Sequence, residues 1–278
     1  MRGDWQARLD LRFWPSSAAS GPRTLLARSH EGPLRVQKAL YPEGDELCHV
    51  LLVHPPGGIA GGDRLAISAT VERGAQGFIT TPGAGKWYRA NGREAGQQVR
   101  LAVAGDLEWL PQEAIVYDAA SVRSSLRIDL APGARCLGWD IVALGRQAAG
   151  ERFATGCFGQ TIELWRDGQP AWIELTRLAG GDELLASPVG LDGAHVFGCF
   201  WACGQTWSDA ALEALRERLA AEPATRALAL TRLADDLLVA RLRGSRTEAV
   251  RAALEALWLA VREPVLGRAP QRPRIWAT

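Results

Sequence analysis

The chain has 278 residues, 47% of them hydrophobic, and sets 32 Lys+Arg against 31 Asp+Glu for a formal net charge of +1 at pH 7. A chain of that length buries roughly 70–75% of its unfolded surface and needs no disulfide or metal staple. The balanced charge excludes the field that draws a protein to nucleic acid or an anionic membrane, and no segment approaches the ~18 uncharged apolar residues of a membrane span.

In chain order, the first signals are strands. Trp5-Gln-Ala-Arg-Leu9-Asp-Leu11-Arg-Phe13 alternates apolar and polar residues with the period of a half-buried strand, and Leu65 to Val71 and Leu126 to Leu130 repeat the pattern. Between the first two lies His54-Pro-Pro-Gly-Gly-Ile-Ala-Gly-Gly-Asp63, a loop whose prolines stiffen the approach and whose glycines permit positive φ or close backbone contact. Turn sequences recur at Arg73-Gly74-Ala75, Ala104-Gly105-Asp106 and Pro132-Gly133-Ala134. Each ends one strand-like run and precedes another, which suggests strands stacked in layers, either a helically wound β-structure or an ordinary sandwich. Helical periodicity appears only late. Ser208 caps a helix that places Leu212, Leu215 and Leu219 on one face; Ser245 caps a second, Thr247 to about Arg262, that stops before Pro264. Between them, Arg226 to Arg243 reads as a strand pair turning at Asp235-Asp236. The expected fold class is a β-rich α+β protein: a large twisted or helically wound β-structure with a two-helix C-terminal layer.

The chemistry these residues permit is narrow. Gly57 and Gly62 have P-loop spacing, but Asp63-Arg64 replaces the Lys-Ser/Thr pair and a strand, not a helix, follows, so no helix N-terminus faces an anion. Gly83-Ala-Gly85-Lys86 fails too, because Thr80 stands where the motif needs its first glycine and no helix follows. No serine sits in a G-x-S-x-G elbow, and no catalytic set assembles around His30, His49, His54 and His195, the only histidines. Metal chemistry stays open, because Cys48-His49, His54 and Asp63 bring soft, borderline and hard donors within one segment. A closed site is not expected, since strand neighbours 48 and 49 face opposite ways. On a strand, Cys199 and Cys203 lie ~13 Å apart and read as core. Glu108, Glu113, Asp140 and Glu174 are carboxylates on apolar strands, either outward and solvated or inward along a polar interior path. Five cysteines, odd in number and scattered, and a start without an apolar signal core point to a reduced, cytoplasmic location.

Several strings carry a further signal when taken in order: His30-Glu-Gly-Pro-Leu-Arg-Val-Gln37, Tyr41-Pro-Glu-Gly44, Cys48-His49, the loop through Gly61-Gly-Asp63, and Thr80-Thr-Pro-Gly-Ala84 with Lys86-Trp-Tyr-Arg89. Leu107-Glu-Trp-Leu-Pro-Gln-Glu113, Gly138-Trp-Asp140, Leu144-Gly-Arg146, Gly150-Glu151 and Pro273-Arg-Ile-Trp-Ala-Thr278 extend the series to the end. Together these strings resemble the urease accessory protein UreD (UreH) family, departing only at Gly85, Trp87 and Tyr117, where the family often has threonine, phenylalanine and phenylalanine. The resemblance implies one UreD-like domain over 1–278 and a non-enzymatic maturation factor that binds UreF and, through it, the GTPase UreG. That assembly docks on apo-urease, with nickel in transit and no tightly bound cofactor. Asp63, Asp140 and Glu174 are then the expected tunnel-lining carboxylates, with His54, Cys48 and His49 near an entrance, and the C-terminal helices with Arg272 to Thr278 the expected UreF contact. The competing expectations are a metal- or phosphate-dependent enzyme with the 54–63 loop as its lid, and a carbohydrate-binding β-solenoid using some of the eleven tryptophans.

Overall fold

Short turns at one end and long loops at the other wind the middle of the chain into coils. The computed structural model describes residues 4–18 and 21–277; Met1 to Gly3, Ala19, Ser20 and Thr278, the last residue of the terminal string, lie outside them. The chain opens with β1 (Gln6–Ala18), β2 (Gly21–Glu31), β3 (Arg35–Val36) and β4 (Leu47–Val53). The coiled part continues through β5 (Arg64–Val71), β6 (Gln76–Thr80), β7 (Gly85–Trp87), β8 (Ala95–Val103), β9 (Asp106–Trp109) and β10 (Ala114–Val116). It ends with β11 (Ser121–Leu130), β12 (Arg135–Leu144) and β13 (Cys157–Arg166), after which come β14 (Gln169–Ala179) and β15 (Val196–Cys203). Helix α1 (Asp209–Ala220), the pair β16 (Ala229–Ala234) and β17 (Leu237–Gly244), and helix α2 (Thr247–Leu266) complete the fold.

The strands form a seven-stranded sheet ordered β14-β13-β11-β8-β5-β1-β2 and a ten-stranded sheet whose main path is β16-β17-β15-β12-β9-β6-β4-β3. Strands β5, β8, β11 and β13 are parallel neighbours in the first, and β4, β6, β9 and β12 in the second. Parallel neighbours need a crossover. Here the crossover is a strand of the opposite sheet, so each coil lays one strand on each sheet. The glycine turns sit on the coil corners and stack: Asp106 N donates to Ala75 O at 3.0 Å and Arg135 N to Gly105 O at 3.1 Å. A Cβ on Gly105 would meet Ala75 O at 2.2 Å, so glycine is required there by close approach of the preceding coil.

Two cores follow from this winding. Phe13, Leu101, Ile128 and Leu164 face Val50, Ile79, Leu107 and Cys136 between the sheets. On the outer face of the larger sheet, Leu137, Trp139, Ile141 and Phe200 pack against Val250, Leu254, Leu257 and Val261 of α2 and against Leu212, Leu215 and Leu219 of α1. Because β12 is covered on both faces, its sequence is a nearly continuous apolar run in which Asp140 stands out. The expected β-rich α+β architecture with a C-terminal helix layer is therefore what the chain adopts.

Ser208 does cap α1, its Oγ accepting Ala211 N–H at 3.2 Å. The second helix departs from expectation. Arg246, not Ser245, precedes it without a side-chain cap, and it runs through Pro264 to end on Gly267 at φ 68°. Proline inside a helix costs ~3 kcal/mol. Val265 and Leu266 beyond it are 0% and 6% exposed, and burying two such side chains returns roughly 1.5–3 kcal/mol each, which carries the helix past the break. Among the described residues no helix is long and apolar enough to cross a membrane.

Candidate functional site

The long connections at one end of the coils, 54–63, 81–94 and 110–120, lie side by side. Ile59 N donates to Lys86 O at 2.7 Å and Tyr88 N to Ile59 O at 2.8 Å, so the glycine loop is zipped to the loop of the next coil. Gly61 is pressed so closely on that loop that a Cβ would meet Ala90 O at 2.1 Å. Asp63 closes the segment from within: its carboxylate accepts Trp5 N–H at 2.9 Å and Ala60 N–H at 2.8 Å, and the residue is buried. Strands β5 and β7 follow the two glycine strings, so neither offers a helix N-terminus to a phosphate.

These loops form the mouth of a cavity of about 320 Å³ between the sheets, lined by His54, Gly58, Lys86, Gln112, Asp140 and Gln160 among others. A second cavity, about 510 Å³, opens at the β14 and β17 side and is lined by Asp140, Gln160, Glu174, Cys199 and Arg241 among others. Asp140 and Gln160 line both. One carboxylate and one amide, carried by opposite sheets, thus border both spaces. Asp140 is half-buried and borders both cavities; burial pushes its carboxyl up to about 6, against the amide of Gln160, which favours the charged form. At neutral pH it is an anion with no cation as hydrogen-bond partner among the described residues. Glu174, by contrast, accepts Arg241 Nε–H at 2.8 Å in a bidentate pair at the second mouth. His54 is half-buried; burial holds its imidazole below the ordinary 6.5, while the charge of Asp63 opposes the shift. Its buried Nε2 has no hydrogen-bond partner among the described residues. The first mouth thus presents a neutral imidazole nitrogen and the junction a carboxylate.

The structure brings together Asp140, Glu174 and, at the far mouth, His54, and separates the other candidates. Asp63 lies outside the lining of both cavities, although its charge still acts on His54. Cys48, fully buried, faces the core between the sheets, and burial pushes its thiol up to about 11. His49 faces the other way, stacked on Phe78 at 4.3 Å with Nε2 3.0 Å from Glu43 Oε1. Among the described residues no three His, Cys, Asp or Glu side chains are grouped to hold a metal ion.

Sequence reasoning missed Gln160, Arg241 and Arg262. Gln160 occupies an inward position between Phe158 and Ile162 on an alternating strand, a signal as legible as that of Asp140. Arg262 had none, lying on the apolar stripe of α2. It is 0% exposed and donates to Glu108 (Nη2 to Oε1, 2.9 Å) and Glu43 (Nη1 to Oε2, 2.7 Å), while Trp258 Nε1 donates to Glu108 Oε2 at 2.7 Å. Glu108 thus faces the helix layer, not the cavities. The terminal segment docks beside this network: Trp276 lies 5.2 Å from Trp139 and 5.5 Å from Trp258, its Nε1 donating to Thr80 Oγ1 at 3.0 Å.

A family model described as UreD urease accessory protein matches residues 6–277. The chain is 46% identical over 280 residues to the urease accessory protein UreD of Dechloromonas aromatica, covering 99% of this chain and 95% of the relative. It is 49% identical to that of Pseudomonas fluorescens, with 99% and 95% covered, and 46% identical to that of Ralstonia nicotianae, with 99% and 94% covered.

Proposed function

The chain belongs to the UreD urease accessory protein family, and on that premise we propose that it acts as one UreD-like unit, without turnover of its own, to guide nickel to the urease active site. In this reading UreF docks on it, the GTPase UreG is recruited through UreF, and the assembly sits on apo-urease in the cytoplasm. The observation that carries the proposal is the pair of cavities that share Asp140 and Gln160 in their linings. A half-buried carboxylate without a counter-ion gives up part of its solvation, and the Gln160 amide alone offsets that loss. A divalent cation entering the junction supplies the counter-ion. Three grouped ligands would retain the ion, whereas one carboxylate, then an arginine-paired one, let it move on. Glu174 then acts as a second station where the cation competes with Arg241, and His54 as a neutral donor at the first mouth. Asp63 contributes by holding the loop that carries His54. The five free thiols support a reducing compartment.

The outer face of α1, with Glu213, Arg216 and Glu217 exposed, and the terminal segment through Trp276 are the proposed UreF contact. A urease activation assay with purified apo-urease, UreF and UreG tests the passage: Asp140→Ala with Glu174→Ala retains the UreF complex and loses activation. Full activation by that double variant would refute it.

A further inference from the structure

We propose that Cys199 is a selectivity ligand of the passage, forming with Asp140 a thiol–carboxylate point that admits borderline divalent cations such as nickel and rejects magnesium and calcium. The inference rests on the transit reading above and goes beyond it by naming what discriminates between cations.

The placement is set by strand register. Asp140 on β12 and Cys199 on β15 are directly opposed in the antiparallel pair, so their side chains leave the same face of the sheet as nearest cross-strand neighbours. Both line the second cavity, together with Glu174 and Gln160. Cys199 is 8% exposed and its sulfur has no hydrogen-bond partner among the described residues; burial first, then the charges of Glu174 and Asp140, push its thiol up while Arg241 opposes, so a bound cation must displace the proton. Strand β15 contains its own comparison. Cys203, four residues on and on the same face, is directly opposed to Cys136, has its Sγ within 3.2 Å of Cys136 O, and lines neither cavity. Of two buried thiols on one strand, one is packed and bonded and the other borders a cavity whose lining holds Asp140 and Glu174 together with Arg177, Arg241 and Arg243.

The chemistry then separates cations. Magnesium and calcium take oxygen ligands, and magnesium gives up its water reluctantly. Nickel, cobalt, zinc and copper accept sulfur, so a thiol beside a carboxylate is a worse site for the hard ions than two carboxylates and a better one for the borderline ions. The step is coordination with proton release: a sulfur lone pair forms the metal–sulfur bond, the S–H bond breaks, the proton passes to cavity water, and no electron changes hands. Two ligands without a third nearby keep the stop brief.

The test uses the full-length chain in a Cys157→Ser background, which removes the exposed thiol. Nickel is titrated in with excess magnesium, and thiolate-to-nickel charge transfer is followed by absorbance for the parent, Cys199→Ser, Cys199→Ala and Asp140→Ala. Outer-shell changes at metal sites already cost 10–100-fold in affinity, so loss of a direct ligand is expected to cost about tenfold or more. Cys199→Ser and Cys199→Ala should abolish the band, and in reconstituted activation both should become sensitive to excess magnesium. Melting curves identify any variant that has lost its fold, and the other cysteine variant then decides. If both cysteine variants keep the band while Asp140→Ala weakens nickel binding, the role of Cys199 is overturned and the passage stands. If Asp140→Ala too leaves binding and activation unchanged, the passage itself falls.

Discussion

Asp140→Asn should make the protein more stable at neutral pH and less able to support urease activation. The carboxyl ionises at about 6 in the folded chain against an ordinary 3.8, and each pKa unit corresponds to about 1.4 kcal/mol, so the buried charge costs at most about 3 kcal/mol, cavity water making this an upper bound. The sign follows from proton counting. Between 3.8 and about 6 the folded state holds a proton that the unfolded chain has released, so stability falls as pH rises through that window. Asparagine keeps the shape and a hydrogen bond to Gln160 but carries no charge. The variant should therefore match the parent below the window and exceed it above. For 278 residues at roughly 2.1 cal/mol/K each, the gain amounts to a melting temperature higher by up to about 5 °C. Thermal melts of both proteins across the window, paired with the activation assay, read the two effects separately. Nickel added to the parent should narrow the gap, because the cation supplies the missing counter-charge. A variant equal to or less stable than the parent at neutral pH, or a gap that does not change with pH, would refute the account of Asp140 as an uncompensated interior charge.

The network beneath α2 should behave in the opposite way. Glu108→Gln leaves Arg262 buried with only Glu43 to balance it and is expected to lower stability by about 3–5 kcal/mol in urea titrations, the range for breaking a buried ion pair by removing one partner. A loss under 1 kcal/mol would mean that the pair is not held as an ion pair. Asp63→Ala removes the carboxylate that accepts the N–H groups of Trp5 and Ala60 and should cost about 1.5–3 kcal/mol, the worth of hydrogen bonding to a charged group. Limited proteolysis should then cut within 54–63 sooner than in the parent, and an unchanged cleavage pattern would show that Asp63 is not what closes the loop.

How much of this was legible depends on whether the information is local. Strand alternation, the β16–β17 pair and the Ser208 cap follow from neighbours in sequence, and the coil corners announced themselves through Gly74, Gly105 and Gly133. The extent of α2 did not, because Pro264 is a local stop signal that the burial of Val265 and Leu266 overrides. The site divides along the same line. Asp140 interrupts the apolar run of β12, and Gln160 interrupts that of β13, so each is visible as a polar residue at an inward position. That they meet is a property of the winding, which lays β12 and β13 on opposite sheets of the same coil, and no spacing encodes it. Asp63 shows the converse. Its loop is the most conspicuous string in the chain, yet the aspartate is occupied by two backbone N–H groups while the carboxylate without such partners lies in an ordinary strand. A conspicuous loop reports where backbone must bend sharply. The transit proposal therefore rests on the one of its three carboxylates that the fold leaves with neither a backbone N–H nor an arginine partner among the described residues: Asp63 holds Trp5 and Ala60, Glu174 holds Arg241, and Asp140 has only the amide of Gln160.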